Sequence, residues 1–366
     1  MENLNDDVQL RIINYLELLS QFRLWVASKD VAPRTYDNVI YAWQGKTSHK
    51  LQYRLFKEFD KLCGTLVEVD FIRAISPTVK HLELYRFNIS NLTRWRGQCF
   101  PCMESLYYAV DFITHWEHNE ALKLIVELFP KLKLLKSPSY INGKIIEKLT
   151  DLQILDLSES FLYFIEFDSI NGILNLPKLQ SFSFYTEPHE TESIMNEIFE
   201  RRGQDIRKFL ANALDLRFLV NKGQCLKNLR LLTLCSAYYE KDEFESLVSN
   251  MPALEELNLV DCAYWQLESD LWRTVANCRS LKILGLSIEG IDEDFFDSSR
   301  LQMEYVLSNH LQPLILNFYQ TDDDVSVPSI LHALAFKYFN HSNLTYCFKQ
   351  HRDIIICNYL TKIEFC

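Results

Sequence analysis

Leu229-Arg-Leu-Leu232-Thr-Leu234, Leu254-Glu-Glu-Leu257-Asn-Leu259 and Leu281-Lys-Ile-Leu284-Gly-Leu286 repeat one pattern: an apolar residue, two of any kind, an apolar residue, one of any kind, an apolar residue. The later positions alternate as a short β-strand does, so the last two apolar side chains share a face and the residue between them points the other way. Working outward, the same triplet stands at Val79/Leu82/Leu84, Leu152/Leu155/Leu157 and Leu179/Phe182/Phe184. Weaker copies are Met103/Leu106/Tyr108, Leu132/Leu135/Ser137 and Leu311/Leu314/Leu316, and the poorest is Ile206/Phe209/Ala211. Successive first positions, at 79, 103, 132, 152, 179, 206, 229, 254, 281 and 311, are 24, 29, 20, 27, 27, 23, 25, 27 and 30 residues apart. Steps of that size mark an array of small units, each burying its apolar side against its neighbours.

Helical stretches fill the intervals, as at 241–249 and 268–276. Several end at an apolar–proline pair, Phe129-Pro130, Leu176-Pro177 and Met251-Pro252, where proline halts the helix and turns the chain into the next strand. Over about residues 66–366 the sequence resembles the leucine-rich-repeat family. That resemblance implies an α/β solenoid, a curved parallel sheet with outer helices, whose strand face holds other proteins. The ninth repeat position, commonly Asn or Cys in that family, is met by Cys262 but not by Phe87, Ser160 or Ala237.

Residues 1–45 do not follow the repeat. Apolar residues at Val8, Ile12, Ile13, Tyr15 and Leu16 give a helical face, with Asn5 or Asp6 available as N-cap. Phe22, Leu24, Trp25 and Val26 follow, and a further helix around 35–43 would complete a three-helix unit. This segment resembles an F-box, which opens Leu-Pro-x-Glu-Val and continues with Ile, an aromatic residue and Leu. Leu4, Asp7, Val8, Ile12, Ile13, Tyr15 and Leu16 hold those positions, with Asp7 for the usual Glu. The departures are Asn5 for Pro, Gln9 for Leu, and Ser20-Gln21 for an Asp-Leu pair. A break at Gly45–Ser48 and an amphipathic helix over 49–63 make residues 46–65 a linker and cap, leaving 66–366 to the repeats.

The combined resemblance implies a non-catalytic substrate receptor of an SCF-type cullin–RING ubiquitin ligase. Leu4, Asp7, Val8, Ile12, Ile13, Leu16, Leu24 and Trp25 would meet a Skp-type adaptor, which links to the cullin scaffold, and the repeats would hold a protein marked for degradation. The alternative is a free-standing repeat scaffold or inhibitor, whose N-terminal helices only cap the array's exposed core.

Composition narrows the partners. At 366 residues the chain exceeds what one core usually spans, and 48% apolar with 24% charged residues is a globular balance. A net charge of −11 with scattered basic residues disfavours nucleic acid and anionic lipid. The acidic start Met1-Glu-Asn-Leu-Asn-Asp-Asp is unlike a secretory signal, and no apolar run is long enough to span a membrane. The 10 cysteines lack framework spacing, and Cys235, Cys262 and Cys357 sit in apolar runs, so a reducing cytoplasmic or nuclear setting is expected.

Chemistry-bearing motifs are sparse: no phosphate loop, nucleophile elbow or His-Glu-x-x-His is present, and neither cofactor nor metal is expected. Cys99-Phe-Pro-Cys102 and His115-Trp-Glu-His118 come close to zinc-finger spacing, but the His–His gap is short and the stretch also supplies the triplet at 103. Target contacts are expected from side chains on the open strand face: His81, Glu83, Tyr85, Tyr107, Asp156, Ser158, Tyr185, Thr233, Glu256 and Asn258. Tyrosine recurs there, and a ring that is both apolar and hydrogen-bonding suits an interface.

Overall fold

The computed structural model describes residues 3–57, 67–109, 115–137, 141–158, 167–185, 188–212, 216–235, 246–260, 268–287, 300–310, 312–320, 329–350 and 360–366. They fall into two units, Met1–Leu179 and Gln180–Cys366.

The first unit begins with three helices, α1 (Asp6–Tyr15), α2 (Leu18–Ser28) and α3 (Pro33–Gln44), the last starting on a proline whose fixed φ suits a helix's first turn. Five parallel strands follow: β1 (Ser48–Gln52), β2 (His81–Tyr85), β3 (Ser105–Ala109), β4 (Leu134–Lys136) and β5 (Ile154–Asp156). Each pairs with the next in sequence. The triplet leucines lie in register across them, Leu82 beside Leu106 and Leu135 beside Leu155, all buried. Helix α4 (Val67–Ile75) and the helices at Ile89–Arg94, His115–Leu128 and Phe167–Leu174 connect the strands. The apolar–proline pairs at 129–130 and 176–177 each lie just past a helix end.

The expected capping helix over 49–63 is instead β1 at its start. His49 and Leu51 point inward, and the ladder to β2 outweighs any local helical preference. Residues 58–66 lie outside the described residues. The repeats therefore begin about eighteen residues before 66. No boundary separates the three helices from them, because one aromatic core runs through both. Phe22 packs on Trp43, Phe56 and Phe71, with ring centroids 5.3, 5.4 and 5.1 Å apart. Phe56 continues to Phe87, and Phe87 to Trp95. A fully buried carboxylate, Glu68, accepts from Trp95 Nε1 at 2.7 Å and Asn91 Nδ2 at 3.0 Å, with Arg94 at 3.4 Å, which supplies the partners a buried charge requires.

The second unit holds β6 (Ser181–Tyr185), β7 (Ile206–Asn212), β8 (Leu231–Cys235), β9 (Glu256–Val260), β10 (Ile283–Ser287), β11 (Leu314–Gln320), β12 (Leu344–Gln350) and β13 (Leu360–Phe365). From β7 to β12 the strands are parallel neighbours in chain order. Strand β13 breaks the rule. It runs antiparallel between β6 and β7 and bonds to both, so the expectation of a wholly parallel sheet is corrected. It is held there by buried Ile363, by an ion pair of Glu364 with Lys208 at 2.8 Å, and by Arg202 stacked 3.9 Å over the Phe365 ring.

Parallel strands, one per repeat and in register, with a helix between most, make each unit a leucine-rich-repeat solenoid. One triplet is out of phase. Leu284 and Leu286 pair with Leu316 and Phe318, so the tenth repeat opens at Pro313 rather than Leu311, two residues later than the leucines suggest. The would-be zinc stretch is a repeat strand, since Met103, Leu106 and Tyr108 are buried while Cys99 and Cys102 are exposed. No helix among the described residues is long and apolar enough to cross a membrane.

Candidate functional site

Two surfaces of the first unit carry the residues that the sequence singles out. The first is α1. Asn5 caps it, its side chain accepting from Val8 N at 2.9 Å, and Asp6 accepts from Arg34 and Asn38 of α3 at 2.7 and 2.8 Å. Those partners hold the Asp6 carboxyl below its ordinary value.

The inner side of α1 is fixed by two buried glutamines. Gln9 donates to Leu4 O and accepts from Thr35 and Asn38; Gln21 donates to the carbonyls of Ile13 and Leu16 and accepts from Trp43 Nε1 at 2.9 Å. Both stand where the F-box pattern has leucine. Here those positions hold hydrogen-bonded links among the three helices, which satisfy carbonyls that a leucine would leave unpaired.

Leu4, Val8 and Ile12 lie on the outer side, 38, 40 and 37% exposed, and Tyr15 stands beside them at 91%. Asp7 is exposed, and Leu16 and Leu24 are half-buried. Ile13 and Trp25 are corrected from docking residues to core. Ile13 is fully buried, and Trp25 is stacked on Tyr36 at 5.2 Å and packed against Trp43. Consecutive helical residues point about 100° apart, so Ile12 and Ile13 cannot share one face. Tyr15, three residues past Ile12, belongs to the outer stripe.

The second surface is the open side of β1–β5. Tyr85 and Tyr107 sit side by side, centroids 5.0 Å apart and planes tilted 51°. Lys50 from β1 lies 4.7 Å over the Tyr85 ring and 3.3 Å from Glu83, to which the Tyr85 hydroxyl donates at 2.9 Å. Tyr85 and Glu83 hold the Lys50 ammonium above its ordinary value. On the other flank Lys136 lies 5.8 Å over Tyr107 and 3.7 Å from Asp156, and Asp156 accepts from the backbone and hydroxyl of Ser158. His81 is exposed at the rim; Glu83, Tyr85, Tyr107, Asp156 and Ser158 are all half-exposed. The result is a ring pair flanked on each side by a lysine and a carboxylate. Lys50 and Lys136 were not legible from the triplets, because β1 was unrecognised and β4's triplet ends in Ser137.

The second unit does not present its strand face in the same way. Thr233 and Asn258 are each 3% exposed, so both are corrected from target contacts to buried groups. Asn258 Nδ2 donates to Thr233 Oγ1 at 3.3 Å and to Glu256 at 2.9 Å, and the Tyr319 hydroxyl donates to Asn258 Oδ1 at 3.2 Å. Gly285 makes that possible. A Cβ there would stand 2.2 Å from Asn258 Oδ1 and 2.5 Å from the Tyr319 ring. Next to this row Cys235, Val260 and Tyr319 form a buried cluster. Glu256 stays half-exposed; the side chain of Tyr185 lies outside the described residues.

No protein-family model matches the sequence, and no curated protein does either. Solved structures resemble it in fold. Rad7 in the yeast Rad7–Elc1 complex is 14% identical, covering 96% of this chain and 94% of that one, with a TM-score of 0.45. An internalin from Listeria monocytogenes is 11% identical over 90% of this chain and 93% of its own, with a TM-score of 0.37. TLR13, solved with a single-stranded RNA, is 18% identical over 76% of this chain but 44% of its own, with a TM-score of 0.35. These likenesses are to folds alone. Among the described residues no group of three or more His, Cys, Asp or Glu could hold a metal ion.

Proposed function

We propose that this protein is a non-catalytic receptor with two protein-binding surfaces, the outer stripe of α1 for an adaptor and the open face of β1–β5 for a target. The reading rests on one observation above all. Leu4, Val8, Ile12 and Tyr15 are exposed together on a helix whose opposite side is locked into a core. Apolar side chains aligned on one solvent-facing stripe are what a docking helix offers, and the locked inner side means little ordering cost on binding. The aromatic core that joins α1–α3 to the first repeats would carry the adaptor and the target in one rigid piece.

In the finer form of the proposal the adaptor is of the Skp type and the assembly is a cullin–RING ubiquitin ligase acting in cytoplasm or nucleus. The register from Leu4 to Leu16 supports that form, as does the capping of α1 by Asn5 in place of proline. Ile12→Asp tests it. A carboxylate in the docked interface would lose its hydration without a partner, at a cost of several kcal/mol, on the order of a thousandfold in affinity. Retention of a purified Skp-type adaptor on the immobilised chain should collapse while the circular dichroism is unchanged. Retention equal to the parent's would remove α1 as the docking element. If the parent itself fails to retain the adaptor, the free-standing scaffold is the better reading.

A further inference from the structure

The two ends of the repeats are finished differently. At β1 the inward Leu51 is fully buried, with the fully buried aromatic core of Trp43, Phe56 and Phe71 alongside. At β12, which ends the sheet of the second unit, the inward side chains are not closed over. Leu314, Leu316 and Phe318 of β11 are at most 1% exposed, whereas their register partners are Leu344 at 8% and the half-buried Tyr346 and Phe348. Strand β12 is also seven residues long, and among the described residues only β11 bonds to it. Long edges of this kind are normally blunted by proline, inward charge or a covering element, because a free row of N–H and C=O groups templates further pairing.

We infer that β12 is a self-association edge, on which a second copy of this chain docks its own β12 antiparallel about a two-fold axis through Cys347. The sequence Leu344-Thr-Tyr-Cys-Phe-Lys-Gln350 is self-complementary about that centre. Tyr346 of each copy opposes Phe348 of the other on the core side, joining two half-buried aromatic layers into one. Thr345 opposes Lys349, the strand's sole charge, so no like charges face each other. Cys347 opposes its twin on the open side, where it is exposed. A two-fold axis requires this kind of symmetric register, and a one-residue slip would turn the aromatics out to solvent. Each copy carries a net charge of −11, 10 of it in the second unit, where 17 basic residues face 27 acidic ones. Like-charge repulsion thus opposes docking, and salt should relieve it.

Sedimentation velocity on the full chain should show a dimer fraction that rises between about 0.05 and 0.5 M NaCl, over a Debye length shrinking from roughly 14 to 4 Å. Tyr346→Lys puts a charge on the core side of the edge and should raise the dimer dissociation constant at least tenfold. Cys347→Ser preserves folding and association but removes a marker. Mild copper–phenanthroline oxidation should cross-link the parent chain into a covalent dimer, and Cys347→Ser should abolish that band while Cys99→Ser, Cys102→Ser and Cys366→Ser leave it. A monomer at every salt concentration up to 100 µM overturns the inference. So does a dimer indifferent to Tyr346→Lys, or a cross-link that survives Cys347→Ser.

Discussion

Strands β2–β4 and β8–β11 carry the same alternation, yet the residues between their inward side chains have opposite fates. In the first unit Glu83, Tyr85, Tyr107 and Lys136 stay half-exposed on an open face; in the second Thr233, Asn258 and Asn317 are nearly sealed. The difference does not arise from residue polarity, since asparagine and threonine are more polar than tyrosine. It arises from what the neighbouring strand can lay across them. Gly285 leaves a gap in the row, and Tyr319 of the next strand fills it and bonds to Asn258. Strand alternation tells which way a side chain points, but not whether anything covers it.

The most disruptive probe of that contrast lies beneath the face rather than on it. Leu257 is fully buried in the layer shared by adjoining repeats. Leu257→Ala should cost about 2–5 kcal/mol in chemical denaturation. Because each repeat leans on its neighbours, hydrogen exchange should rise first around β8 and β10 and leave β2–β4 protected. Exchange rising evenly across both units would contradict the repeat architecture.

Gly285→Ala should come next. The added methyl cannot fit until Tyr319 swings away, so overpacking of about 1–3 kcal/mol is expected. The same change should open Asn258 to solvent, turning the sealed face into one like that of the first unit. Pairing it with Tyr319→Ala should relieve the clash, and a double mutant as unstable as the sum of the two single changes would show that the gap is not shared.

Asn258→Ala and Tyr107→Ala compare the two faces directly. Removing Asn258 leaves the Tyr319 hydroxyl without its acceptor in a buried site, which should cost about 1–3 kcal/mol. Removing Tyr107 deletes one cross-strand contact at a half-exposed position, which should cost roughly 0.2–1 kcal/mol. Thermal melts of the two variants giving equal losses would erase the distinction between sealed and open faces.

The smallest effect is pH-dependent. His49 of β1 is nearly buried against Phe71, and burial holds its imidazole below the ordinary value of 6.5, although backbone carbonyls of Lys46 and Trp43 act the other way. The unfolded chain therefore takes up a proton at higher pH than the folded one. Stability from the neutral ring is complete above about 6.5 and is lost as pH falls below it. Acidification from pH 7.5 to 5.5 should loosen β1 in exchange measurements, and His49→Gln should flatten that dependence. Asp6, Glu104 and Asp151, each held low by a basic neighbour, act in a separate window below their ordinary values of 3.8 to 4.5.

The spacing of leucines was enough, without any structure, to locate nine strands and their inward residues, because a buried strand position tolerates few alternatives to a large aliphatic side chain. It placed the tenth two residues early, where Leu311 and Leu314 compete with the true phase set by Pro313. Strands β1 and β12 escaped notice because His49, Tyr346 and Phe348 replace the expected leucines. On α1 the register from Leu4 to Leu16 was readable, but a list of apolar residues does not separate Ile12, which faces out, from Ile13, which faces in. That separation belongs to the helix and to what its inner side meets.

Only the tertiary structure decided the rest. Strand β13 has no triplet of its own, and its place between β6 and β7 comes from pairing across about 150 residues of chain, which no local pattern records. The sealing of Asn258 depends on Gly285 and Tyr319, which are 34 residues apart in sequence and within van der Waals reach in space. Period and residue type determine which elements form and which side is apolar, since both act over one or two turns or strands. Exposure, coverage and strand order are fixed by packing among distant segments, where the free energy of a contact depends on every neighbour that shares it.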